Sequence, residues 1–396
     1  MSAAITESLN TASLDQETLL ELTRQTDPVG VLSIYVDARP GANPRAESID
    51  IKNRLAELER RVASEGPPER AQTIHEGITR VAAEIKRLTD PEEPGRGRVL
   101  FAAMSDGWVR RVSTQLPVPS RVVLDRSPFI HPLLELLDEG GPAGVVLASR
   151  TEARLLEWRL GELIALRELR AGTVEPPHER SGPVGSRPSN RYGTPTGEQR
   201  NARERDRAAR FIDRVAAATS RLAHQRGWEH ILVGAGEHLT DALVRALPPA
   251  QRETALRDRR LLARLDPGAL GDIVTERMHM AHSEFEHRLI RRVREDAQGA
   301  GAAALGVSEV VGALNQARVG HLVYDPFVRY HGSVGEDGSL FAAGESGPTF
   351  GWTPDTRLTE RIVERALETG ARVTPVEGAA SDGLAEAAGI AAVLRW

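Results

Sequence analysis

Residues 175–199, EPPHERSGPVGSRPSNRYGTPTGEQ, run without a break into RNARERDRAARFIDRVAAATSRLAHQRG at 200–227. The first piece is dense in Pro, Gly and Arg and reads as a loop, and a long structureless insertion in a compact chain is usually functional or disordered. The second piece has helical spacing. Arg200, Arg203, Arg207, Arg210 and Arg214 recur at alternating steps of three and four, which places them on one helix face. Ala208, Phe211, Ile212, Val215, Thr219 and Leu222 make the adjoining apolar face. Between 179 and 214, nine arginines stand against five acids, Glu179, Glu198, Glu204, Asp206 and Asp213. A basic loop on a basic helix suits a polyanion. The competing reading is a solvated face with internal pairs, Glu204 with Arg207 or Arg200 and Asp206 with Arg210.

Strands flank this stretch. AGVVLASR (143–150) is a buried-strand run, and ARLLEWRLGELIALREL (153–169) supplies two more strands around Leu160-Gly161-Glu162. HILVGAG (230–236) follows the helix as another strand, with the helix LTDALVRAL and Pro248-Pro249 behind it. Upstream, VGVLSIYVD (29–37) is a strand closed by Ala38-Arg39-Pro40-Gly41. Residues 47–63 and 68–88 have helical spacing, RVLFAA (98–103) is a strand, and Asp106-Gly107 turns a hairpin into WVRRVSTQL. RVVLD (121–125) and a Pro-flanked piece, SPFIHPLLELL, complete this part. Downstream, a helix over about 271–299 precedes a helix at 307–317, a strand at 319–326 and a helix stopped by Gly370. A further strand follows, and LAEAAGIAAVLRW (384–396) closes the chain as helix, glycine and strand. Helices alternate with strands throughout, so the fold class is α/β. Glu139-Gly140-Gly141-Pro142 and Leu265-Asp266-Pro267-Gly268 mark hinges. They predict three domains over 1–138, 139–266 and 267–396, the middle one carrying the basic loop 175–200.

Composition narrows the partners. The chain has 396 residues, 40% of them hydrophobic, with a net charge of -5 and no cysteine. No global field draws it to nucleic acid, so any such binding comes from a local patch. Disulfides, zinc ribbons and thiol catalysis are excluded, and a cytoplasmic protein is expected. The N-terminus lacks the basic and apolar regions of a signal peptide, and no apolar run is long enough for a transmembrane helix. Only Lys52 and Lys86 are lysines, so an arginine bias of composition discounts arginine counts everywhere.

The order of elements and several short runs resemble the archaeo-eukaryotic peptide-release factors, a family that includes Pelota and the Vms1-type peptidyl-tRNA hydrolases, in its bacterial branch. VLSIYVD followed by SIDIKNRLAELE resembles the family's N-terminal strand and helix, and Asp50-Ile51-Lys52-Asn53 stands where release factors carry an Asn-Ile-Lys-Ser decoding motif. The strand, loop and basic helix of 143–226 resemble the central domain. ALNQARVGHLVYD and the closing GIAAVLRW resemble the C-terminal domain. The resemblance implies a central RNase H-like domain and a C-terminal L7Ae-like α/β/α domain. It implies a ribosome-associated factor that enters the A site for rescue or hibernation, with or without hydrolysis of peptidyl-tRNA. The expected partners are rRNA and the tRNA acceptor end, with a translational GTPase as a further partner. Membrane and DNA are not expected as partners.

Two departures stand out. There is no Gly-Gly-Gln; the nearest run is Gly197-Glu198-Gln199. The family's second decoding motif needs a cysteine, which speaks against stop-codon reading. Gly197 and Gln199 are the candidate catalytic residues, because flanking glycine lets backbone approach an ester and a backbone N–H can support developing charge. The alternative makes Thr196 a helix cap and Glu198 and Gln199 first-turn residues. Arg187, Arg191 and Tyr192, with the five stripe arginines, are the candidate RNA contacts, since guanidinium and aromatic planes stack on bases. Lys52 and Arg54 either approach the decoding centre or belong to a solvated helix.

Other chemistry is poorly represented. His279, His282 and His287 share a helix with Glu276, Glu284 and Glu286, but HExxH spacing is absent and His282 and His287 fall on different faces, so a polar face is expected and no metal. Neither a Ser–His–Asp arrangement nor a P-loop is present, and Gly234-Ala235-Gly236 is a partial dinucleotide fingerprint, so no cofactor is expected. The rival class is a non-ribosomal α/β enzyme for a small molecule, or a protein-interaction scaffold.

Overall fold

The computed structural model describes all residues except 1–5, 11–13, 106, 172–196, 261, 300–301, 345–351 and 356. It is α/β throughout and divides into two compact units. One joins 1–140 with 278–396; the other is Gly141–Arg277. The segments expected as first and third domains thus share one unit, each keeping its own sheet.

The N-terminal segment runs β1 (Thr6–Asn10), α1 (Gln16–Arg24), β2 (Val31–Asp37), α2 (Pro44–Glu65), α3 (Pro68–Arg80), α4 (Ala82–Arg87), β3 (Gly97–Ala103), β4 (Val109–Thr114), β5 (Arg121–Asp125) and α5 (His131–Glu139). Its sheet has the order β1-β4-β3-β2-β5. Ile51, Leu55, Leu58 and Val62 of α2 and Ile74 of α3 pack on Leu32, Ile34, Leu100 and Ala102. The helical spacing over 68–88 is two helices rather than one. At Val81 the backbone leaves the α region (φ -95°, ψ 9°), while Ile78, Val81 and Ile85 keep facing the core. The Pro-flanked piece is a helix, α5, with Pro132 in its first turn, where the missing N–H costs nothing.

The central unit holds β6 (Ala143–Ala148), β7 (Glu152–Arg159), β8 (Glu162–Arg170), α6 (Gly197–Arg226), β9 (His230–Gly234), α7 (Glu237–Ala246), α8 (Pro249–Glu253), β10 (Ala255–Asp258) and the start of α9 (Pro267–Gln298). The sheet order is β10-β9-β6-β7-β8. β6, β7 and β8 form an antiparallel meander; β9 adds parallel to β6, and β10 parallel to β9. That is the strand arrangement of an RNase H-like sheet. Leu160 (φ 49°) and Gly161 (φ 84°) make the β7–β8 turn, where two positive φ values match the strand twist. Gly144 lies under the Trp228 indole so closely that a Cβ there would sit 2.2 Å from Cε3.

The C-terminal segment continues α9 and adds β11 (Ala303–Leu305), α10 (Gly306–Asn315), β12 (Val319–Tyr324), β13 (Gly332–Gly335), β14 (Leu340–Ala342), β15 (Trp352–Asp355), α11 (Leu358–Glu368), β16 (Arg372–Pro375), α12 (Ala379–Asp382) and β17 (Ile390–Leu394). Its sheet order is β11-β17-β12-β16, and β14-β13-β15 form a separate small sheet. Gly370 ends α11 at φ 68°, as its place in the sequence predicts. The helix expected in LAEAAG is only a short 3-10 turn, Ala385–Ala387, because Ala388 (φ 50°) and Gly389 (φ 84°) reverse the chain directly into β17.

The two segments of this unit are joined by polar contacts, some of them buried. Asp138 of α5 accepts from Arg372 Nε at 2.5 Å and from the Thr374 hydroxyl. His131 Nδ1 meets the Tyr324 hydroxyl at 2.5 Å. Gln16 of α1 donates to the Ala371 carbonyl, and Arg24 pairs with Glu368 at 2.9 Å.

Candidate RNA-facing site

α6 is built in two parts. From Phe211 onward its apolar side packs into the central core, with Phe211, Val215, Ala216, Ala218 and Ala223 buried against Val146, Leu155, Ile231 and Val233. Thr219 is buried as well and caps its hydroxyl on the Val215 carbonyl at 2.9 Å. Upstream, Ala202 and every residue from Glu204 to Arg210 is exposed. Ala208 therefore does not join the apolar face that its spacing predicts. Length supplies the reason: α6 has 30 residues, about 45 Å at 1.5 Å per residue, whereas a nine-residue strand such as β8 spans about 30 Å. The helix outruns its sheet.

The ridge of arginines continues onto the packed half. Arg207, Arg210 and Arg214 are exposed on one face. Two internal pairs of the competing reading do not form: among the described residues no ion pair links Glu204 to Arg207 or Asp206 to Arg210, while the Arg200 side chain, the other candidate for Glu204, lies outside the described residues. Arg210 Nε instead donates to the Asp206 carbonyl at 3.3 Å. Arg214 donates to the Arg170 carbonyl at the end of β8, and its guanidinium carbon lies 5.6 Å from the Phe211 ring centroid. Those contacts orient the side chains without neutralising them. Cationic charge held this way is available to phosphate oxygens.

The other sequence candidates are placed as follows. The backbone of Gly197, Gln199, Arg200 and Arg203 is helical, at the N-terminal end of α6. Arg187, Arg191 and Tyr192 lie outside the described residues. Lys52 and Arg54 are exposed on α2, in the other unit, where Arg54 pairs with Asp50 at 2.6 Å and Lys52 projects into solvent. The structure thus groups Arg207, Arg210 and Arg214 and places Lys52 and Arg54 elsewhere.

Acidic and histidine groups are committed to structure. Glu157, buried on β7, accepts from Trp228 Nε1 at 2.9 Å and from Arg226 at 3.2 Å. Burial pushes the Asp258 carboxyl up, but bonds from Arg260 and Arg277 outweigh it and hold the group at about 2. Of the three histidines on α9, His282 is buried and reaches Asp138 at 3.9 Å and Glu286 at 3.5 Å, His279 meets Glu139 at 3.1 Å, and His287 is exposed. Among the described residues no group of three or more His, Asp and Glu could hold a metal ion. Nor does any described helix have the length and apolarity to cross a membrane. Sequence reading missed the Asp138 and Glu139 partners of these histidines; no local signal could supply them, since Glu139 and His279 are 140 residues apart.

The strand order and the basic helix, with its exposed arginine ridge, define an RNase H-like unit with a cationic helix on one side. Residues 128–283 match the model of the bacterial archaeo-eukaryotic release factor family 10. The release-factor resemblance read in the sequence is borne out over that stretch, which contains the whole central unit. No curated protein matches the chain. Among solved structures, an archaeal translation termination factor, aRF1, is 15% identical with a TM-score of 0.27, covering 98% of this chain and 99% of its own. Pelota of Archaeoglobus fulgidus is 15% identical with a TM-score of 0.33, covering 76% of this chain and 79% of its own. Dom34 of S. cerevisiae, a translation termination-like factor, is 10% identical with a TM-score of 0.36, covering 76% of this chain and 80% of its own.

Proposed function

We propose that this chain is a ribosome-associated translation factor of release-factor type, which uses α6 and the basic stretch before it to face RNA. The observation that carries the reading is the ridge Arg207–Arg210–Arg214, exposed and, among the described residues, free of ion pairs on a helix that extends beyond its sheet. That helix lies within the segment that matches the family. By their spacing in the sequence Arg200 and Arg203 belong to the same helix face, and Arg187, Arg191 and Tyr192 precede them in the chain.

Within that role the chain occupies the ribosomal A site, for rescue or hibernation. The acceptor end of tRNA and the surrounding rRNA are the contacts of the central unit, Lys52 and Arg54 approach the decoding centre, and a translational GTPase is the delivery partner. Positioning is favoured over hydrolysis, because Gly197–Gln199 have helical backbone and Glu198 would bring a negative charge into a phosphate-rich site.

The test is co-sedimentation with ribosomes over a range of salt. Replacing Arg207, Arg210 and Arg214 with Ala is expected to weaken binding and to flatten the log-affinity against log-salt slope by about 2 to 3. Association that is absent at low salt, or untouched by the triple change, sinks the reading. Peptide release from ribosome-bound peptidyl-tRNA that is lost in Gln199→Ala would establish hydrolysis instead of occupancy.

A further inference from the structure

Phe327 is an aromatic side chain left 56% exposed in a segment that is otherwise tightly fixed. Single exposed apolar residues are common and need no explanation; the surroundings of this one are unusual. Its own N–H donates to Asp325 Oδ1 at 2.8 Å, and Val328 N–H closes the turn on the Asp325 carbonyl at 3.2 Å. On one side Asp325 N–H is tied to the Gly389 carbonyl at 2.8 Å. On the other, Tyr330 donates its N–H to Thr359 at 3.0 Å and its hydroxyl to the Ala388 carbonyl at 2.5 Å. The ring is held ready rather than collapsed onto the surface, which lowers the ordering cost of binding.

One face of the ring is already covered by a cation. The Arg121 guanidinium carbon lies 4.7 Å from the Phe327 centroid, and Glu377 fixes that guanidinium at 3.4 Å. The exposed area therefore belongs to the opposite face and the ring edge. Arg329 is 72% exposed, while its partner Asp125, 3.7 Å away, is 16% exposed. Arg126, the next residue after Asp125, is exposed as well. Asp325 is engaged by its own turn, and Glu360 has its carboxyl pushed up, first by burial and then by the charge of Asp125. At the Arg329–Asp125 pair the guanidinium is outward and the carboxylate inward, while Arg121 lies beneath the ring, less exposed than Glu377.

We propose that Phe327 is a stacking platform for an unpaired RNA base, with Arg329 and Arg126 meeting the flanking phosphates. A flat ring backed by a guanidinium stacks with any base, and outward cations favour a nucleotide over an apolar protein side chain. The proposal rests on the RNA-facing reading of the chain and adds a second contact surface, in the other unit from α6.

The experiment measures binding of the full chain to a labelled single-stranded oligoadenylate at low salt, by fluorescence anisotropy. Phe327→Ala and Phe327→Leu are expected to weaken binding about five-fold or more, and Phe327→Trp to retain it. Circular dichroism confirms that the variants fold. Leu binding as well as Phe would overturn the proposal in favour of an apolar docking point for protein, and unchanged binding by Ala would overturn it outright. Replacing Arg207, Arg210 and Arg214 separates the two readings. Oligoadenylate binding lost there but kept in Phe327→Ala removes the platform and leaves the α6 reading standing. Wild-type protein that ignores oligoadenylate but sediments with ribosomes does the same.

Discussion

His279 Nδ1 lies 3.1 Å from the carboxylate of Glu139, so α9 is tied at His279 to the end of α5 by a bond that carries a proton. One turn on, His282 faces Asp138 and Glu286, with Glu139 also within its field. Glu135 from α5, His321 from β12, Arg372 and Thr374 from β16 and Glu377 beyond it complete the surroundings. The Glu139 bond raises the His279 pKa against a desolvation that lowers it; burial lowers His282, but Glu286 and Asp138 outweigh it and raise the group. Burial, with repulsion from Glu377, Glu139 and Glu286, pushes the Glu135 carboxyl up to about 7.

The sign is the same for all three groups. Each holds its proton more tightly folded than unfolded, so the stabilisation is present below the unfolded pKa and is lost as pH rises through the folded one. His321 opposes them at lower pH: burial takes it down to about 4, so its contribution is complete above the unfolded value near 6.5 and is lost as pH falls toward 4. Thermal unfolding followed against pH should show a maximum near about pH 6 and a decline toward pH 8. Glu135→Gln should leave Tm nearly unchanged at about pH 4, below the unfolded carboxyl pKa, and raise stability at pH 8 by about 1 to 3 kcal/mol, because the buried charge is removed. A variant no more stable than wild type at pH 8 would show that Glu135 ionises without cost.

Replacing Gly144 tests the packing beneath α6. A Cβ at that position would lie 2.2 Å from Cε3 and 2.3 Å from Cζ3 of Trp228, whose Nε1 is tied to buried Glu157. The indole cannot retreat without breaking that bond. Gly144→Ala should cost about 1 to 3 kcal/mol in urea unfolding, and a loss below a few tenths would mean that Trp228 has another place to go.

His131 should report on how the first and last segments of the chain are joined. Its ring is buried, bonded to the Tyr324 hydroxyl at 2.5 Å and edge-on to Phe129, and burial with the charges of Arg121 and Arg329 takes it down to about 3. Tyr324→Phe leaves the imidazole nitrogen buried without its partner, at a cost of about 1 to 3 kcal/mol. The double change His131→Phe with Tyr324→Phe should cost less than the sum of the two single changes, as read in chemical unfolding.

Local chemistry made most of the elements legible. The β7–β8 hairpin followed from Leu160-Gly161-Glu162, the end of α11 from Gly370, and α6 from its arginine and apolar periodicities. The break at Val81 was hidden because Ile78, Val81 and Ile85 continue the helical spacing across it. The β13–β15 sheet was missed because strands of three or four residues, GSVG, LFA and WTPD, are too short to carry a periodicity. The sharing of one unit by residues 1–140 and 278–396 rests on bonds such as Asp138 with Arg372, which are 234 residues apart. At the candidate site, the arginine face could be read from spacing. Whether those arginines were neutralised could not, because the same spacing serves an ion pair and a free cation equally well.

That last distinction yields a directional test. Glu204 and Asp206 are exposed beside the ridge and bonded to none of its described guanidiniums through their carboxylates. Under the solvated-face reading they would hold the arginines, and removing them would cost helix stability. Under the RNA-facing reading they only repel the incoming phosphates. Glu204→Gln with Asp206→Asn should therefore leave the melting temperature nearly unchanged and tighten ribosome binding at low salt, by about two- to five-fold. The gain should fade as salt rises, because the repulsion is between exposed charges and screens within about 10 Å at 0.1 M. Weaker binding by the double variant would mean that the acids orient the ridge, and an equal gain at high salt would mean that something other than charge had changed.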